Sequence, residues 1–478
     1  MNYISMRLFN EQGNLKVDLQ RLRKVSEAEK FTRSETGFWN QNCSVIKDKY
    51  IDNLTLTNHD NSKNVIVSRK ILIKPNYLQR KLLMECFHAY RYVYNQAIEL
   101  IFRILDLSEK TGCKIMPSTI KTAVYKYVKI TDDIVPDFVL PLPADSRKEA
   151  LREAVKNYST CITHMRRGIC KKFLLKHKRR DAMTFRIKTN AIKLEKNKLV
   201  IFRDRIIERI RDVAVEREGK CTAKSIKKYN HLRYADIDKG NRSRLSPYLD
   251  ENGNPTSYPI ITYSHGKYYL IVSGTREAEI TKDKKEICAI DPGVVNFHTI
   301  YDRETTYIEG HKLYETKLQS INQRIDKLVR AKQYVTGAKL KRMRLRELKL
   351  RAKVSNIVYD FRHKLASTLC NKYKVILLPK LGIKQVAKHL RRTVNRKLYA
   401  LSHYKFNELI KQIAQRTGTT VIHCLESYTS KTCGNCGNLQ SVDDDRIFRC
   451  ALCQYVCGRD ENACKNILIR TLNNYLLS

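Results

Sequence analysis

The chain has 478 residues and a formal net charge of +44, from 92 lysines and arginines against 48 aspartates and glutamates. Its 42% hydrophobic residues are enough for packed cores, so the composition excludes general disorder, and no apolar run is long enough to span a membrane. Fifteen cysteines in so long a chain favour metal binding in a reducing compartment over a disulfide scaffold.

The excess of positive charge runs along the whole sequence and predicts a polyanionic partner. Nucleic acid is favoured, because every phosphate contact releases counterions. An anionic membrane surface is the weaker alternative, since no lipid-anchoring signal accompanies the charge. The N-terminus, MNYISMRLFNEQGN, lacks the apolar segment of a secretory signal.

The N-terminal half predicts strands and helices behind a polar extension. Residues 1–65 show no periodicity and are interpreted as an extension that is partly disordered. Residues 66–74 (IVSRKILIK) predict a strand, after which apolar residues recur at helical spacing from Leu78 to Ala97. The tyrosines on this stripe could stack on bases, but core packing is the favoured interpretation.

A second helical region, predicted over residues 145–180, is strongly basic and ends in the run KHKRR at 176–180. That run is interpreted as a nuclear-import signal, a phosphate-facing helix or a solvated face. Short strand-like pieces follow. The segments 259–263 and 267–273 then predict a hairpin around a Ser-His-Gly turn.

From about residue 285 the pattern alternates strands with helices. Residues 286–291 (EICAID) predict an apolar strand that ends at Asp291. A long basic helical stretch, 311–372, leads to a buried-type strand at 374–378 (KVILL), and a further helix leads to the strand TTVIHCLE at 419–426. Strands separated by helices predict parallel pairing and an α/β domain.

Four cysteines near the C-terminus follow the spacing C-x2-C-x13-C-x2-C. They are Cys433, Cys436, Cys450 and Cys453. Each pair can hold one edge of a tetrahedral Zn2+ site, and four thiolates leave no open position, so the sequence predicts one structural zinc ion. Cys457 and Cys464 lie nearby but complete no such pair, and we interpret them as bystanders.

Two aspartates stand at positions where an active-site crevice is expected. Phosphodiester hydrolysis with two Mg2+ ions needs carboxylates that bridge the metals. Asp291 is at the C-terminal end of its predicted strand, the end that faces the crevice of an open α/β sheet, although a turn role before Pro292 is an alternative. Asp460 precedes the last predicted helix, 461–473, and could equally be its N-cap. Asp302, near the second strand of this region, is a weaker candidate.

The motifs AIDPGVVN, YTSKTCGNCG and GRDENACKNI, in this order, resemble the RuvC nuclease domain of TnpB proteins. TnpB proteins are transposon-encoded RNA-guided endonucleases that are similar to type V CRISPR effectors. The segments IKPNYLQRKLL and YRYVYNQAIEL resemble the start of the same family. The resemblance covers about residues 66–478 and is most specific in the C-terminal part.

One position departs from the TnpB pattern. The strand written here VILLPKL ends in a catalytic glutamate in that family, whereas this sequence has Pro379, which offers no side-chain oxygen to a metal. Either the nuclease is inactive, or another carboxylate substitutes. Glu426, at the end of the next predicted strand, is the candidate, although it could also be an ordinary polar residue. An inert residue with a compensating downstream glutamate resembles Fanzor proteins, the eukaryotic and giant-virus relatives of TnpB.

The resemblance to Fanzor proteins implies a bilobed protein of α/β plus α+β class. A β-barrel with an inserted helical recognition domain would occupy 66–280. An RNase H-like RuvC domain would occupy 284–478, with a zinc knuckle inserted at 428–458. The implied catalytic triad, which would also bind two Mg2+ ions, is Asp291, Glu426 and Asp460.

The same resemblance implies an RNA-guided DNA endonuclease that is associated with a transposable element. Its partners would be a guide RNA and double-stranded target DNA, cut beside a short target-adjacent motif, without membrane association. A monomeric ribonucleoprotein in the nucleus of a eukaryotic host is expected. One alternative is guided DNA binding without cleavage, with Pro379 as the lesion. A plain zinc-ribbon nucleic-acid binder is the other, and it leaves the placement of Asp291 and Asp460 around the knuckle unexplained.

Overall fold

The structure, a computed structural model, describes residues 64–477 with several gaps. The positions outside the description are 1–63, 113–115, 129, 169–174, 182, 196–197, 282, 380–390, 425, 443–445 and 478, together with the side chains of 64 and 474–477. The extension predicted for residues 1–65 therefore lies almost wholly outside the described residues.

The described residues divide into two compact units, Ile66–Thr275 and Arg276–Ser478. The helices of the N-terminal unit are α1 (Tyr77–Thr111), α2 (Pro117–Tyr127), α3 (Ala144–Arg166), α4 (Arg203–Glu218), α5 (Ala223–Tyr229) and α6 (Lys239–Leu245). Its strands are β1 (Asn64–Ile73), β2 (Thr184–Arg186), β3 (Ile192–Glu195), β4 (Lys198–Ile201), β5 (Tyr234–Ala235), β6 (Ile260–Ser264) and β7 (Lys267–Glu277).

Helix α1 is fixed at its start by a capping box and along its length by core packing. The Asn76 side chain accepts a hydrogen bond from the Gln79 N–H at 3.0 Å, and the Gln79 side chain accepts one from the Asn76 N–H at 3.2 Å. Tyr90 and Tyr94 are buried in the main core of this unit. The structure thus confirms that these tyrosines are core residues.

The strands of the N-terminal unit form two sheets, with the orders β1-β7-β6-β2 and β3-β4-β5. The β6–β7 hairpin confirms the predicted turn: His265 and Gly266 have φ of 52° and 79°, the left-handed geometry that suits a two-residue hairpin. The expected β-barrel, however, is not closed in the described residues. The reason is that β1 and the three-residue β2 form the two edges of their sheet and do not pair with each other.

The basic run at 176–180 is not helical, contrary to the prediction, since α3 ends at Arg166. Its central residue is held by packing. The Lys178 ammonium lies 2.7 Å from a carboxylate oxygen of Glu153 and within 5 Å of the ring centroids of Tyr90 (4.8 Å) and Tyr94 (4.7 Å). These contacts tie the run to α1 and α3.

The C-terminal unit contains one five-stranded sheet, a long helical hairpin and a small cysteine-rich module. Its helices are α7 (Gln319–Ala331), α8 (Gly337–Lys372), α9 (Arg392–Leu401), α10 (His403–Thr417) and α11 (Arg459–Leu477). Its strands are β8 (Lys285–Pro292), β9 (His298–Tyr301), β10 (Thr306–Glu309), β11 (Tyr373–Pro379), β12 (Thr420–Cys424), β13 (Ile447–Arg449) and β14 (Val456–Gly458). Across both units, none of the helices that the structure describes is long and apolar enough to cross a bilayer.

The five-stranded sheet has the order β10-β9-β8-β11-β12. Strands β8, β11 and β12 are parallel, as predicted, and β9 and β10 continue the sheet in antiparallel pairs. Alternate residues of each strand face opposite sides. On one face Cys288 and Ile290 pack against α8 and α10, and on the other Ile287 and Ala289 pack against α11. Helices therefore cover both faces of the sheet.

Asp302 directly follows β9 and lies at the edge of the sheet where β8 and β11 begin. It is therefore at the opposite edge from Asp291 and takes no part in the crevice expected there. Its side chain is fully buried and accepts hydrogen bonds from the Tyr373 hydroxyl at 2.8 Å, the Lys285 ammonium at 3.1 Å and the Thr305 N–H at 2.9 Å. Lys285 and Tyr373 begin their strands, whereas Asp291 lies near the end of β8. Burial alone would raise the pKa of Asp302, but these donors hold it below its ordinary value.

We expect Asp302→Asn to destabilise the C-terminal unit by about 2 kcal/mol, because a buried, multiply bonded carboxylate is lost. Calorimetry on the full chain should show a melting temperature lower by about 4–8 °C. A depressed carboxyl pKa stabilises the folded state above the unfolded value of about 3.9, so the difference should be complete near pH 6 and shrink as the pH falls below about 4.

The matched control is Asp326→Asn, which breaks a half-exposed pair with Arg396 at 2.7 Å and should cost less than about 1 kcal/mol. Equal melting of Asp302→Asn and the wild-type protein at pH 6 would contradict the stabilising role of this network.

Candidate active site

Asp291 lies at the carboxyl end of β8, the middle strand of the five-stranded sheet. It follows Ala289 by two residues on β8, and its side chain therefore shares the face of the sheet that packs against α11. Across the sheet it pairs with Thr299 of β9. The crevice predicted at this strand end is thus bounded by the first turn of α11.

Asp460 occupies that first turn. Helix α11 begins at Arg459, so Asp460 is inside the helix, whereas the sequence predicted a start at 461. Ile467 and Leu468 pack the helix against the sheet. The Asp460 Oδ2 accepts a hydrogen bond from the Asn296 amide at 2.9 Å.

Pro379 ends β11, the strand beside β8, and Glu426 follows β12, the next strand in the sheet. Leu377 pairs with Ala289, so Pro379, two residues further on, is level with Asp291. Pro379 also pairs with Cys424, the last residue of β12. The sequence predicted Glu426 at the end of this strand. In the structure the strand ends earlier, and Glu426 lies two residues beyond it.

Asp460 and Glu426 act electrostatically on Asp291. Burial raises the pKa of Asp291 well above its ordinary value, and the negative charges of Asp460 and Glu426 raise it further. Burial also raises the pKa of Glu426. Asp460 and Glu426 are thus close enough to Asp291 for their charges to act on its carboxyl group.

Helix α11 also holds the backbone that follows Glu426. The Thr429 hydroxyl donates to the Glu426 carbonyl at 2.9 Å, and the Asn466 amide donates to the Thr429 carbonyl at 2.9 Å. Arg470, one turn further along, donates to the Ser427 carbonyl. Asn466 and Arg470 are both buried. The helix that carries Asp460 therefore also fixes the loop that carries Glu426.

The four predicted zinc ligands come together in the C-terminal unit. All four sulfur atoms lie within 4.8 Å of one another, with Cys433 and Cys453 3.7 Å apart and Cys436 and Cys450 3.6 Å apart. A tetrahedral site with Zn–S bonds of about 2.3 Å has edges of roughly 3.8 Å. The geometry therefore fits a four-coordinate metal.

The module around these thiols is joined to α11. The β13–β14 hairpin supplies Phe448, which packs among the cysteines. The Asn462 side chain accepts from the Gly434 N–H at 2.8 Å and donates to the Thr432 carbonyl at 2.7 Å. Cys464, interpreted as a bystander, is buried against the sheet and donates to the Thr299 carbonyl at 2.9 Å, away from the four thiols.

The two groups of candidate ligands differ in compactness. Among the residues that the structure describes, the four thiols are the only set of three or more such side chains packed closely enough to hold a single ion. The three carboxylates form a looser group. A set of carboxylates without thiol or imidazole suits a hard cation such as Mg2+, and a divalent cation would relieve the repulsion that raises the pKa of Asp291.

Several residues at this site were missed by the sequence analysis. Asn296 lies in the AIDPGVVN motif, but an asparagine there carries no distinct signal. Asn462, Asn466 and Arg470 recur at intervals of four in α11, beside buried apolar residues such as Ile467 and Leu468. That polar stripe was a usable signal, because a buried polar side chain needs a partner.

Three family models match parts of the chain. A model described as a helix-turn-helix domain matches residues 66–106, one described as a probable transposase matches 270–390, and one described as a Cas12f1-like TNB domain matches 403–467. The last match includes α10, Glu426, the four thiols and Asp460.

Two relatives and one solved structure extend these matches. A TnpB-like protein of Acanthamoeba polyphaga mimivirus is 25% identical over 452 residues, which span 91% of this chain and 79% of that protein. The CRISPR-associated endodeoxyribonuclease Cas12f1 of Sulfoacidibacillus thermotolerans is 27% identical over 224 residues, 44% of this chain and 52% of that protein. A cryo-EM structure of a Cas12f1–sgRNA–target DNA complex covers 85% of this chain and 99% of its own, with a TM-score of 0.52 and 13% identity. That likeness confirms the mixed α/β fold.

Proposed function

Because the chain belongs to the TnpB-like family, we propose that it is an RNA-guided DNA endonuclease of the Fanzor type. The observation that carries the proposal is geometric: the helix that packs on the strand of Asp291 has Asp460 in its first turn and is hydrogen-bonded to the loop that follows Glu426. The strand next to Asp291 offers only Pro379 at that level. The guide would select the sequence by base pairing, and the protein would grip backbones with its excess of lysine and arginine.

Asp291, Glu426 and Asp460 would hold two Mg2+ ions. Such ions supply an activated water and stabilise the leaving oxygen during phosphodiester hydrolysis. The three residues supply negative charge, and the elements that carry them hold their carboxylates in place. Asp291 is on a buried strand, and Asp460 is on a helix packed against that strand. Glu426 is on a loop that is hydrogen-bonded to the same helix. Cys433, Cys436, Cys450 and Cys453 would hold one structural Zn2+.

Guided binding without cleavage is the second candidate function. Two observations favour it, namely the proline at the end of β11 and the looser spacing of the carboxylates compared with the thiols. Both candidates require the same fold, zinc site and positive charge. They differ in whether Glu426 approaches the metals as DNA enters.

The remaining parts of the proposal concern the setting of the reaction. We propose a monomeric ribonucleoprotein that contains guide RNA, cuts double-stranded DNA beside a short target-adjacent motif, and originates from a transposable element. We also propose a nuclear location in a eukaryotic host. The run at 176–180 is a poor linear import signal, since Lys178 is tied to Glu153, and import would depend on other basic segments.

The test is a plasmid cleavage assay with the full chain purified together with RNA from its own locus. We expect Mg2+-dependent cutting at the guided target, and Asp291→Asn should reduce the rate by at least about 100-fold without loss of guided binding. Tight guided binding without cutting by the natural protein would favour the second candidate. Absence of any defined co-purifying RNA would contradict guidance and favour a plain zinc-ribbon binder.

A further inference from the structure

We infer that Asn296 and His311 are positioning residues that hold Asp460 for cation binding, an assignment that rests on the proposed function. Asn296 is 6% exposed, in the turn that follows Asp291. Its Nδ2 donates to Oδ2 of Asp460 at 2.9 Å, and its Oδ1 lies 2.7 Å from Nδ1 of His311. The three side chains form one hydrogen-bonded chain.

The chemistry of these groups fixes the orientation of the amide. An ionised carboxylate only accepts hydrogen bonds, so the NH2 group of Asn296 must face Asp460 and its carbonyl oxygen must face His311. That oxygen only accepts, so Nδ1 of His311 must carry a proton. His311 thereby prevents the Asn296 amide from turning over and presenting its oxygen to the carboxylate.

The backbone around the two side chains is also constrained. A Cβ at Gly293 would lie 2.6 Å from the carbonyl oxygen of Asn296, so this turn requires glycine. The Lys312 N–H donates to the Val295 carbonyl at 2.8 Å and joins the turn of Asn296 to the turn of His311. The hydrogen-bonded chain is therefore built on two turns that hold each other in place.

This arrangement matters because the three acids repel one another before a cation arrives. A free aspartate in the first turn of a helix would rotate away from that repulsion. The neutral Asn296 amide holds one oxygen of Asp460 without adding charge. Loss of such an outer partner usually costs 10–100-fold in metal affinity.

The experiment is a Mn2+ titration of the full chain bound to its guide RNA, read by electron paramagnetic resonance. The Asp291→Asn protein is titrated in the same way, and the Mn2+ that it still binds, including Mn2+ bound to the RNA, is subtracted from each curve. We expect Asn296→Ala to raise the half-saturating Mn2+ concentration at least about 10-fold. The Mg2+ concentration for half-maximal cleavage should rise in parallel, with a smaller change in the rate at saturating Mg2+. His311→Ala should shift both in the same direction by a smaller factor.

The control is Asn371→Ala, an exposed asparagine in the same unit, which should change neither titration. An unchanged Mn2+ titration in a folded Asn296→Ala protein overturns the inference. If Asn296→Ala does not fold, His311→Ala decides, since His311 is exposed, and an unchanged titration there also overturns it. Absence of Asp291-dependent Mn2+ binding in the natural protein would instead overturn the proposed function, and the inference with it.

Discussion

Glu426→Gln is expected to lower the rate of guided DNA cleavage about 1,000-fold, equivalent to about 4 kcal/mol of barrier. Glutamine keeps the shape of the side chain but removes the charge that acts on Asp291 and the anionic oxygen that a cation needs. Guided binding of target DNA should stay within about twofold, because the positive charge that grips the backbone is unchanged. Single-turnover cleavage and filter binding on the same preparation separate the two effects.

The matched control is Glu408→Gln, the same substitution on α10, where a half-exposed carboxylate pairs with Lys411 at 3.2 Å. It should leave cleavage unchanged. Adding Pro379→Glu to Glu426→Gln should restore part of the rate, since position 379 is level with Asp291. Full cleavage by Glu426→Gln alone would refute the relocated acid.

Loss of the zinc site is the second large expected effect. Cys433→Ser should abolish binding of the predicted zinc ion and unfold the module around it, because structural zinc contributes on the order of 10 kcal/mol to such small folds. Cleavage should fall at least about 10-fold, since Cys433 lies in the segment that α11 holds next to Glu426. Zinc content by mass spectrometry and circular dichroism of the purified chain provide the measurement.

Cys457→Ser is the control for this effect. Cys457 lies in β14 of the same module but outside the group of four thiols, so the zinc content and the cleavage rate of this variant should match those of the wild-type protein. If Cys433→Ser retained stoichiometric zinc, the ligand set inferred from spacing and geometry would be wrong.

The core of the C-terminal unit could be predicted from the sequence because its signals are local. Apolar runs of five to eight residues gave β8, β11 and β12, and their separation by helices gave parallel pairing. The cysteine spacing predicted the thiol cluster because the two cysteines of each C-x2-C pair are only three residues apart and so lie in the same turn. These features depend on neighbours in the chain.

The features that were missed depend on contacts between distant residues. The run at 176–180 has helical composition, yet Lys178 is drawn into a site made by Glu153 and two tyrosines of α1. The bond of Asn296 to Asp460 joins the two ends of the unit. A sheet closes into a barrel only if its two edge strands pair with each other. The sequences of the edge strands β1 and β2 contain no local pattern that shows whether they do.

Glu426 lies outside the sheet, and the proposed cleavage requires it to bind metal because the strand beside Asp291 ends in Pro379. The most direct measurement is a structure of the full chain with guide RNA, a non-cleavable target and Mg2+. Density for Mg2+ about 2.1 Å from an oxygen of Glu426, shared with Asp291, is the predicted result. Metal bound by Asp291 and Asp460 alone, with Glu426 turned into solvent, would contradict it.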